Sequence, residues 1–263
     1  MSLFFFSTSS VKALDKFDKA ESLSNYFSAI LLLNDNQYEN SLKYFKKLNG
    51  LENNHLSYSI KYLYSLVNSG NIKAAFNYSK KLEKQKRDSF ESHIISGIYY
   101  LKNSEIDLAK KYFLKAKNKD PSFILNKYVS ISLYNWSNLS NLNQATLELK
   151  KIDERFVNLK KIQNIFLHCY FNSPKTDILF TELTSSMEAD FSRYNFFHAM
   201  YSASIGNIDK AKEITNSALK FYPRNLLLNH YKDYQNKYKN VTSFNCKQKS
   251  HVIAEILYIT ANA

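Results

Sequence analysis

Residues of similar character recur every 34 positions in this 263-residue chain, and this period restricts the fold more than any other feature of the sequence. The recurring residues are apolar, aromatic or small. They are Tyr38, Ile72 and Ile106; Ser41, Ala75 and Ala109; Leu48, Leu82 and Ala116; and Ala29, Leu63 and Gly97. A fixed period of this kind indicates a repeat protein, in which one small structural unit stacks on the next.

The segment from Ser92 to Pro121 predicts what one unit contains. Apolar residues spaced three and four apart indicate two short amphipathic helices, one over residues 93–102 and one beginning at Ile106. Gly97 in the first helix permits close packing. Lysines precede Asp120-Pro121, as expected for a helix C-terminus that a proline follows. Such a hairpin cannot bury its apolar face alone, so neighbouring hairpins must cover it.

The pattern resembles that of the tetratricopeptide repeat family, and in particular of bacterial proteins that contain these repeats. In the unit just described the resemblance is carried by Gly97, Tyr100, Ala109, Phe113, Ala116 and Pro121. A downstream copy matches it with Ala199, Gly206, Ile208, Ala211, Ala218 and Pro223. The resemblance implies an all-α chain folded as an α-solenoid of about six to seven helix-turn-helix repeats of ~34 residues.

The period divides the chain into segments of different regularity. Three regular repeats span residues 22–121, two degenerate repeats span 122–190, a regular repeat spans 191–225, and helices at 226–263 are expected to form an incomplete repeat. The fourth repeat shifts by two positions, because Ala145 follows Ala109 by 36. The last helix stops while still apolar, at Ile256 and its neighbours, which predicts either a fragment of a longer repeat array or a partner that pairs there.

The scarcity of helix breakers supports an all-helical prediction. The chain has 4 glycines and 3 prolines, and several of them, including Gly70, Pro121 and Pro223, fall where units turn or end. Alternating apolar and polar runs bounded by turn residues, which would indicate strands, are missing from the sequence.

The net charge of +13 allows two interpretations. A basic chain can bind nucleic acid or an anionic membrane surface. Many lysines, however, cluster near predicted helix C-termini, where the helix dipole favours them, and the richness in Lys, Asn, Ile, Tyr and Phe is typical of an A/T-rich genome. We therefore expect a solvated lysine-rich surface, and nucleic-acid binding remains the alternative.

The two cysteines, Cys169 and Cys246, have no metal-ligand spacing. Unpaired structural thiols are the expectation, with a disulfide as the alternative.

Residues 1–13 resemble the end of a secretory signal peptide, with a disordered N-terminus as the alternative. This segment predicts an exported or periplasmic protein, and otherwise a cytoplasmic one. No stretch of the sequence reaches the ~18 apolar residues of a transmembrane helix.

Catalytic motifs are missing from the sequence. It contains no H-E-x-x-H, G-x-S-x-G, C-x-x-C or glycine-rich phosphate loop, and its 6 histidines are scattered. We therefore predict a protein that is not an enzyme and that needs no cofactor or metal.

The family resemblance implies a binding groove formed by the first helices of successive hairpins. The residues carried over to this groove are Tyr26, Ile30, Ile60, Tyr64, Ile94, Ile98, Lys127, Tyr134 and Met200, together with Ser130 and Phe196. Most are apolar or aromatic, whereas a carboxylate clamp of this family uses lysine and asparagine. The groove is therefore expected to hold an apolar peptide or helix of a protein partner.

Three functions follow from these patterns. The leading hypothesis is a non-enzymatic scaffold or adaptor that binds a protein partner in its groove. The second is a helical-repeat protein that binds RNA through its basic surface. The third is a subunit of an obligate envelope assembly whose open C-terminal end is completed by another chain.

Overall fold

The structure, a computed structural model, describes residues 19–53, 55–119, 123–186, 188–237 and 244–262. The signal-like segment 1–13 and Pro121 lie outside these ranges. Within them the chain forms fourteen α-helices, two short 3-10 turns and no strand, so the all-helical prediction is confirmed for this part of the chain. The helices are α1 (Lys19–Asn34), α2 (Tyr38–Lys47), α3 (Leu56–Asn68), α4 (Ile72–Lys84), α5 (Phe90–Lys102), α6 (Ile106–Asn118), α7 (Ile124–Ser137), α8 (Leu142–Leu149), α9 (Val157–Tyr170), α10 (Thr176–Ser185), α11 (Tyr194–Ser204), α12 (Ile208–Phe221), α13 (Leu226–Lys237) and α14 (Lys249–Ala261).

Two compact units make up the chain, and the division lies inside α5. The first unit extends to Ile95 and the second begins at Ser96. The boundary therefore falls within the predicted third repeat rather than between two repeats.

In the first unit, each of the helices α1 to α4 packs against the next. Small residues make the closest approaches, since the hydroxyl of buried Ser41 donates a hydrogen bond to the carbonyl of Ala29 at 2.8 Å. The core of this unit is built from Ala29, Leu33, Leu42, Phe45, Leu48, Tyr58, Leu63, Leu66, Ala75, Tyr78 and Leu82. Most of the periodic positions found in the sequence are therefore core positions here.

In the second unit, the helices from α6 to α13 also pack in consecutive pairs. The buried residues include Ala109, Phe113, Ala116, Ile131, Trp136, Ala145, Phe166, Phe180, Ala199, Ala211 and Ala218. Helix α14 breaks this order, because it packs against α7 and α9. Helix α14 therefore packs on helices that lie far from it in the sequence.

A left-handed residue follows the first helix of most hairpins at a constant spacing. The values of φ are +58° at Asn36, +75° at Gly70, +63° at Ser104, +54° at Asn172 and +86° at Gly206. Each of these residues lies two positions after the end of a helix, and successive ones are separated by one repeat period or by two. Glycine adopts this conformation without a steric cost and asparagine tolerates it. The helical-repeat character predicted from the sequence is thus confirmed at its turns.

The register shift of the fourth hairpin lies at the end of its first helix and in its turn. Helix α7 begins one full period after α5, whereas α8 begins two positions later than one period after α6. One of the two extra positions lengthens α7, which ends at Ser137, and the other lies in the turn before α8. There the side chain of Asn141 caps α8 by accepting a hydrogen bond from the amide of Gln144 at 2.9 Å. The first helix of this hairpin keeps the register of the preceding repeats.

Gly97 lies where α5 meets α6. A β-carbon at this position would overlap the ring of Phe113, which is fully buried. The prediction that Gly97 permits close packing is confirmed, because any side chain would separate the two helices.

Candidate interaction surface

The predicted groove residues of the first unit lie on α1, α3 and the start of α5, and most of them are half-buried. Tyr26 and Ile30 pack against the core, with the ring of Tyr26 centred 6.5 Å from that of Phe45. Tyr64 is the most accessible of the set, at 53% exposure, and its ring meets Tyr38 edge-on. Ile60 and Ile94 are half-buried. Tyr64 is therefore the residue of this face best placed to contact a partner.

The predicted residues of the second unit have very different environments. Lys127 is exposed and Ile98 is half-buried. Tyr134 is also half-buried, and the ammonium of Lys117 lies 4.7 Å from the centre of its ring. Met200, at 1% exposure, is buried. The expectation that Met200 lines an accessible groove is therefore corrected.

Helix α13 explains the burial on this side of α11. It packs against both α11 and α12, and the ring of Tyr231 lies 5.4 Å, centre to centre, from that of Phe196. Phe196 is consequently buried as well, at 5% exposure.

Sequence reasoning missed Tyr128 and Ser132, which continue the periodic series from Ile94 and Ile98. Both are buried and bind Gln163 of α9. The Gln163 amide donates to the Tyr128 hydroxyl at 3.0 Å and to the Ser132 hydroxyl at 2.8 Å. Its carbonyl oxygen accepts from the indole N–H of Trp136 at 3.2 Å. The predicted groove contained Ser130 and Tyr134 instead, which lie 36 positions after Ile94 and Ile98, because the shift of two positions was applied one helix too early. Lys127 fits neither spacing.

Helix α14 covers the face of α7 and α9 that carries this network. Its residues Val252, Ile253 and Ile256 are buried, and the side chain of Thr260 hydrogen-bonds to Tyr128, whose pKa is raised by burial. The apolar end that suggested an open edge completed by another subunit is therefore buried largely within the chain itself.

An ion pair fixes the middle of α14. The guanidinium of Arg193, at the start of α11, donates to the carboxylate of Glu255 from Nε at 2.8 Å and from Nη2 at 2.7 Å. The same guanidinium lies 4.2 Å from the centre of the Tyr258 ring. The hydrogen bonds with Glu255 raise the pKa of Arg193, so the guanidinium stays charged. Tyr194 adds its hydroxyl, 3.5 Å from the carboxylate.

A disulfide between Cys169 and Cys246 holds the segment that leads into α14. The expectation of unpaired thiols was therefore wrong, because the fold brings together cysteines that are 77 residues apart in sequence. Beside the disulfide, the ammonium of Lys247 donates to the carbonyls of Cys169 and Tyr170 at 2.6 and 2.8 Å. These carbonyls end α9, where a cation is favourable.

An aromatic residue extends the contact between this segment and the rest of the unit. The ring of Phe244 is centred 5.2 Å from Phe166 of α9 and 4.6 Å from Phe197 of α11. The segment that leads into α14 is thus held by apolar, polar and covalent contacts.

A polar cluster that is only partly buried joins α10, α11 and α12. Asp177 accepts from His198 at 2.9 Å and from Lys210 at 2.6 Å. His198 is buried and stacks on Phe180, with ring centres 5.2 Å apart. Burial lowers the pKa of His198 and outweighs the opposing attraction of Asp177. These contacts tie the three helices together.

The described ranges contain no cluster of three or more His, Cys, Asp or Glu side chains arranged to hold a metal ion. Among the same residues, no helix has the length and apolar character needed to cross a membrane.

Comparison with known proteins gives no match to a family model, to a curated protein or to a solved structure. The geometry of α7, α9 and α14 is therefore the main basis for assigning a function.

Proposed function

We propose that this protein is a non-enzymatic scaffold that binds an amphipathic helix or apolar peptide of a protein partner on the first helices of its hairpins. We further propose that it is a tetratricopeptide-type α-solenoid of about six to seven repeats. One observation carries the binding proposal. The face of α7 and α9 already holds an apolar helix, α14, against Tyr128.

The same series of positions continues into the first unit. Tyr26, Ile60 and Ile94 precede Tyr128 at steps of one repeat period, so they occupy the corresponding turn of α1, α3 and α5. Tyr64 lies one turn further along α3 and is largely exposed. A face of isoleucine and tyrosine binds an apolar helix by burying aromatic and aliphatic surface, with little dependence on charge.

The disulfide supports the proposal that the protein works outside the cytoplasm. Disulfides such as Cys169–Cys246 form and persist in oxidising compartments and are rare in the reducing cytosol. An extracytoplasmic scaffold also agrees with the signal-like segment expected at residues 1–13.

Site-specific photo-cross-linking in the native cell tests the binding proposal. A photoreactive side chain at Tyr64 should capture a defined protein, whereas the same group at Lys73, which is exposed on the second helix of that hairpin, should not. Capture at both positions alike, or at neither, would contradict the proposal.

Binding of the captured partner then separates the scaffold from the RNA-binding alternative. The Tyr64→Ala variant should bind the partner about tenfold or more weakly while its thermal stability is unchanged, because an exposed aromatic residue contributes more to an interface than to the fold. Affinity should change by less than about threefold between about 50 and about 200 mM salt, whereas nucleic-acid binding through many phosphate contacts falls by about 10³ or more. A steep salt dependence together with RNA cross-links would favour the alternative.

A further inference from the structure

Helix α14 packs on its neighbours from one side. Val252, Ile253 and Ile256 face inward and are buried, whereas Tyr258 is 51% exposed and Ala254 is exposed. Helices bound in the grooves of other proteins have this arrangement, with anchors spaced three and four positions apart. The packing of α14 on α7 and α9 thus resembles that of a bound helix, although surface helices in general share this one-sided burial.

The surface beneath α14 is largely complete without it. The side chains of Tyr128, Ser132, Trp136 and Gln163 hydrogen-bond to one another within α7 and α9. Because these buried polar atoms already have partners, removing α14 does not leave Gln163 or Trp136 unsatisfied. A surface that is ordered in advance binds a helix with a smaller loss of conformational entropy.

We propose that α14 is a displaceable ligand of this surface, that the Cys169–Cys246 disulfide locks it in place, and that the unlocked surface binds a partner's amphipathic helix bearing a carboxylate opposite Arg193. This inference goes beyond the proposed function, because it adds a redox-controlled change between a covered and an uncovered state of the α7 and α9 face. It holds whether or not the first unit binds a partner.

The chemistry of the partner helix follows from the groups that contact α14. The planar guanidinium of Arg193 takes both oxygens of a carboxylate, as it does with Glu255. Apolar residues three positions before and one position after that carboxylate correspond to Val252 and Ile256. A helix with lysine in place of the carboxylate is rejected by charge repulsion.

The unlocking step requires a dithiol reductant. A thiolate of the dithiol attacks one sulfur of the disulfide, the S–S bond breaks, and a mixed disulfide forms; the second thiol of the reductant then resolves it. Two electrons and two protons pass to the protein, which keeps two thiols, and the dithiol leaves as a disulfide. Cys169 and Cys246 are both buried, so the segment around Cys246 must open before the attack.

Hydrogen exchange of the full-length protein tests whether the disulfide locks α14. In the Cys246→Ser variant, amides of residues 249–261 should exchange about tenfold or more faster than in the oxidised protein, as expected for local opening. Amides of α7 and α9 should keep their protection within about twofold. Unchanged protection of α14 would overturn the lock, and joint opening of α7, α9 and α14 would show that α14 is part of the core.

Binding of a synthetic peptide with the sequence of residues 249–262 tests the surface itself. In the full-length double variant Cys246→Ser/Ile256→Asp, the resident helix is weakened and the labelled peptide should bind saturably at one site. The Ile256→Asp variant with its disulfide intact should bind it about tenfold or more weakly, since a tethered helix competes at a high effective concentration.

The peptide also tests the role of Arg193. A peptide with Glu255→Gln should bind about tenfold or more weakly, because it leaves the guanidinium without its anion. Emission of Trp136, the single tryptophan, reports that the second unit remains folded in each variant. Folded protein that does not bind the peptide, or binds both peptides equally, would overturn the proposal.

Discussion

Arg193 and Glu255 form a two-point ion pair across 62 residues of sequence, and this pair fixes the last helix of the chain to α11. Glu255 is 5% exposed, whereas the Arg193 side chain retains 33% exposure. Pairs of this kind owe their effect to the large cost of leaving the more buried partner without its counter-ion. The position of α14 therefore depends on both residues.

The Glu255→Gln variant should lose about 2 kcal/mol of unfolding free energy, less than the roughly 3–5 kcal/mol typical of fully buried pairs, because water reaches Arg193. Urea denaturation followed by Trp136 emission measures the change. The same substitution at Glu213, which is exposed on α12, serves as a control and should change stability by less than about 0.5 kcal/mol. Equal effects at the two positions would contradict the role assigned to Glu255.

The Gly97→Ala variant should be destabilised by about 1–3 kcal/mol, because its methyl group overlaps the buried ring of Phe113. Thermal denaturation measures this loss. The double variant with Phe113→Leu should lose less stability than the two single losses added together, since the smaller side chain leaves room for the methyl group. Strict additivity would show that the two residues do not compete for space.

The Ser104→Gly variant should be stabilised by about 0.5–1 kcal/mol, because glycine adopts a left-handed conformation without strain. Ser104 is exposed and has a φ of +63°. Asn172→Gly provides a matched contrast, because Asn172 has a similar φ but its side chain accepts a hydrogen bond from Lys247. The gain in stability from Asn172→Gly should therefore be smaller than that from Ser104→Gly. Urea denaturation compares the two variants, and a loss of stability at position 104 would contradict the assignment of a left-handed turn there.

Protein trapped in its native cells with a thiol-alkylating reagent and then denatured should carry no alkyl group, and two groups after reduction. The reason is that Cys169 and Cys246 are paired and that the proposed compartment is oxidising. Intact mass measurement reads the result directly. Two alkyl groups before reduction would place the protein in a reducing compartment and remove the lock on α14.

Stability should fall as the pH drops below about 6.5, the ordinary pKa of histidine. Burial holds the pKa of His198 below that value, so the unfolded chain takes up a proton that the folded chain does not. Stability stops falling once the pH is below the pKa of His198 in the folded protein. Well above the ordinary histidine pKa, His198 causes no change of stability with pH. For one proton the slope is at most about 1.4 kcal/mol per pH unit. Urea titrations at several pH values should show a shallower slope in His198→Gln, and an unchanged slope would assign it to other groups.

The regular part of the fold could be predicted from the sequence because its determinants are local. The burial of Ser41, Ala75 and Ala109 follows from their spacing, and α6 begins at Ile106 as predicted. Spacing of this kind is visible because each hairpin needs small residues where its two helices approach. The same series, continued without the shift, would also have predicted Tyr128.

The docking of α14 could not be predicted, because it depends on contacts between distant residues. The apolar residues of α14 suit a second helix of a hairpin as well as a helix bound elsewhere, and periodicity does not distinguish the two. Only the fold brings Cys246 to Cys169 and Glu255 to Arg193. Met200 was misplaced for a related reason, since the packing of α13 decides which side of α11 is covered.

The disulfide and α14 also determine the order in which the second unit can be completed during biosynthesis. Cys246 and Glu255 are made after the helices α9 and α11 that they contact, so the surface of α7 and α9 can form before its cover exists. At roughly 5–20 residues per second, the chain from the end of α9 to the end of α14 takes on the order of ten seconds to synthesise. Chaperones and partners can reach this surface, which we propose to bind helices, until α14 folds onto it.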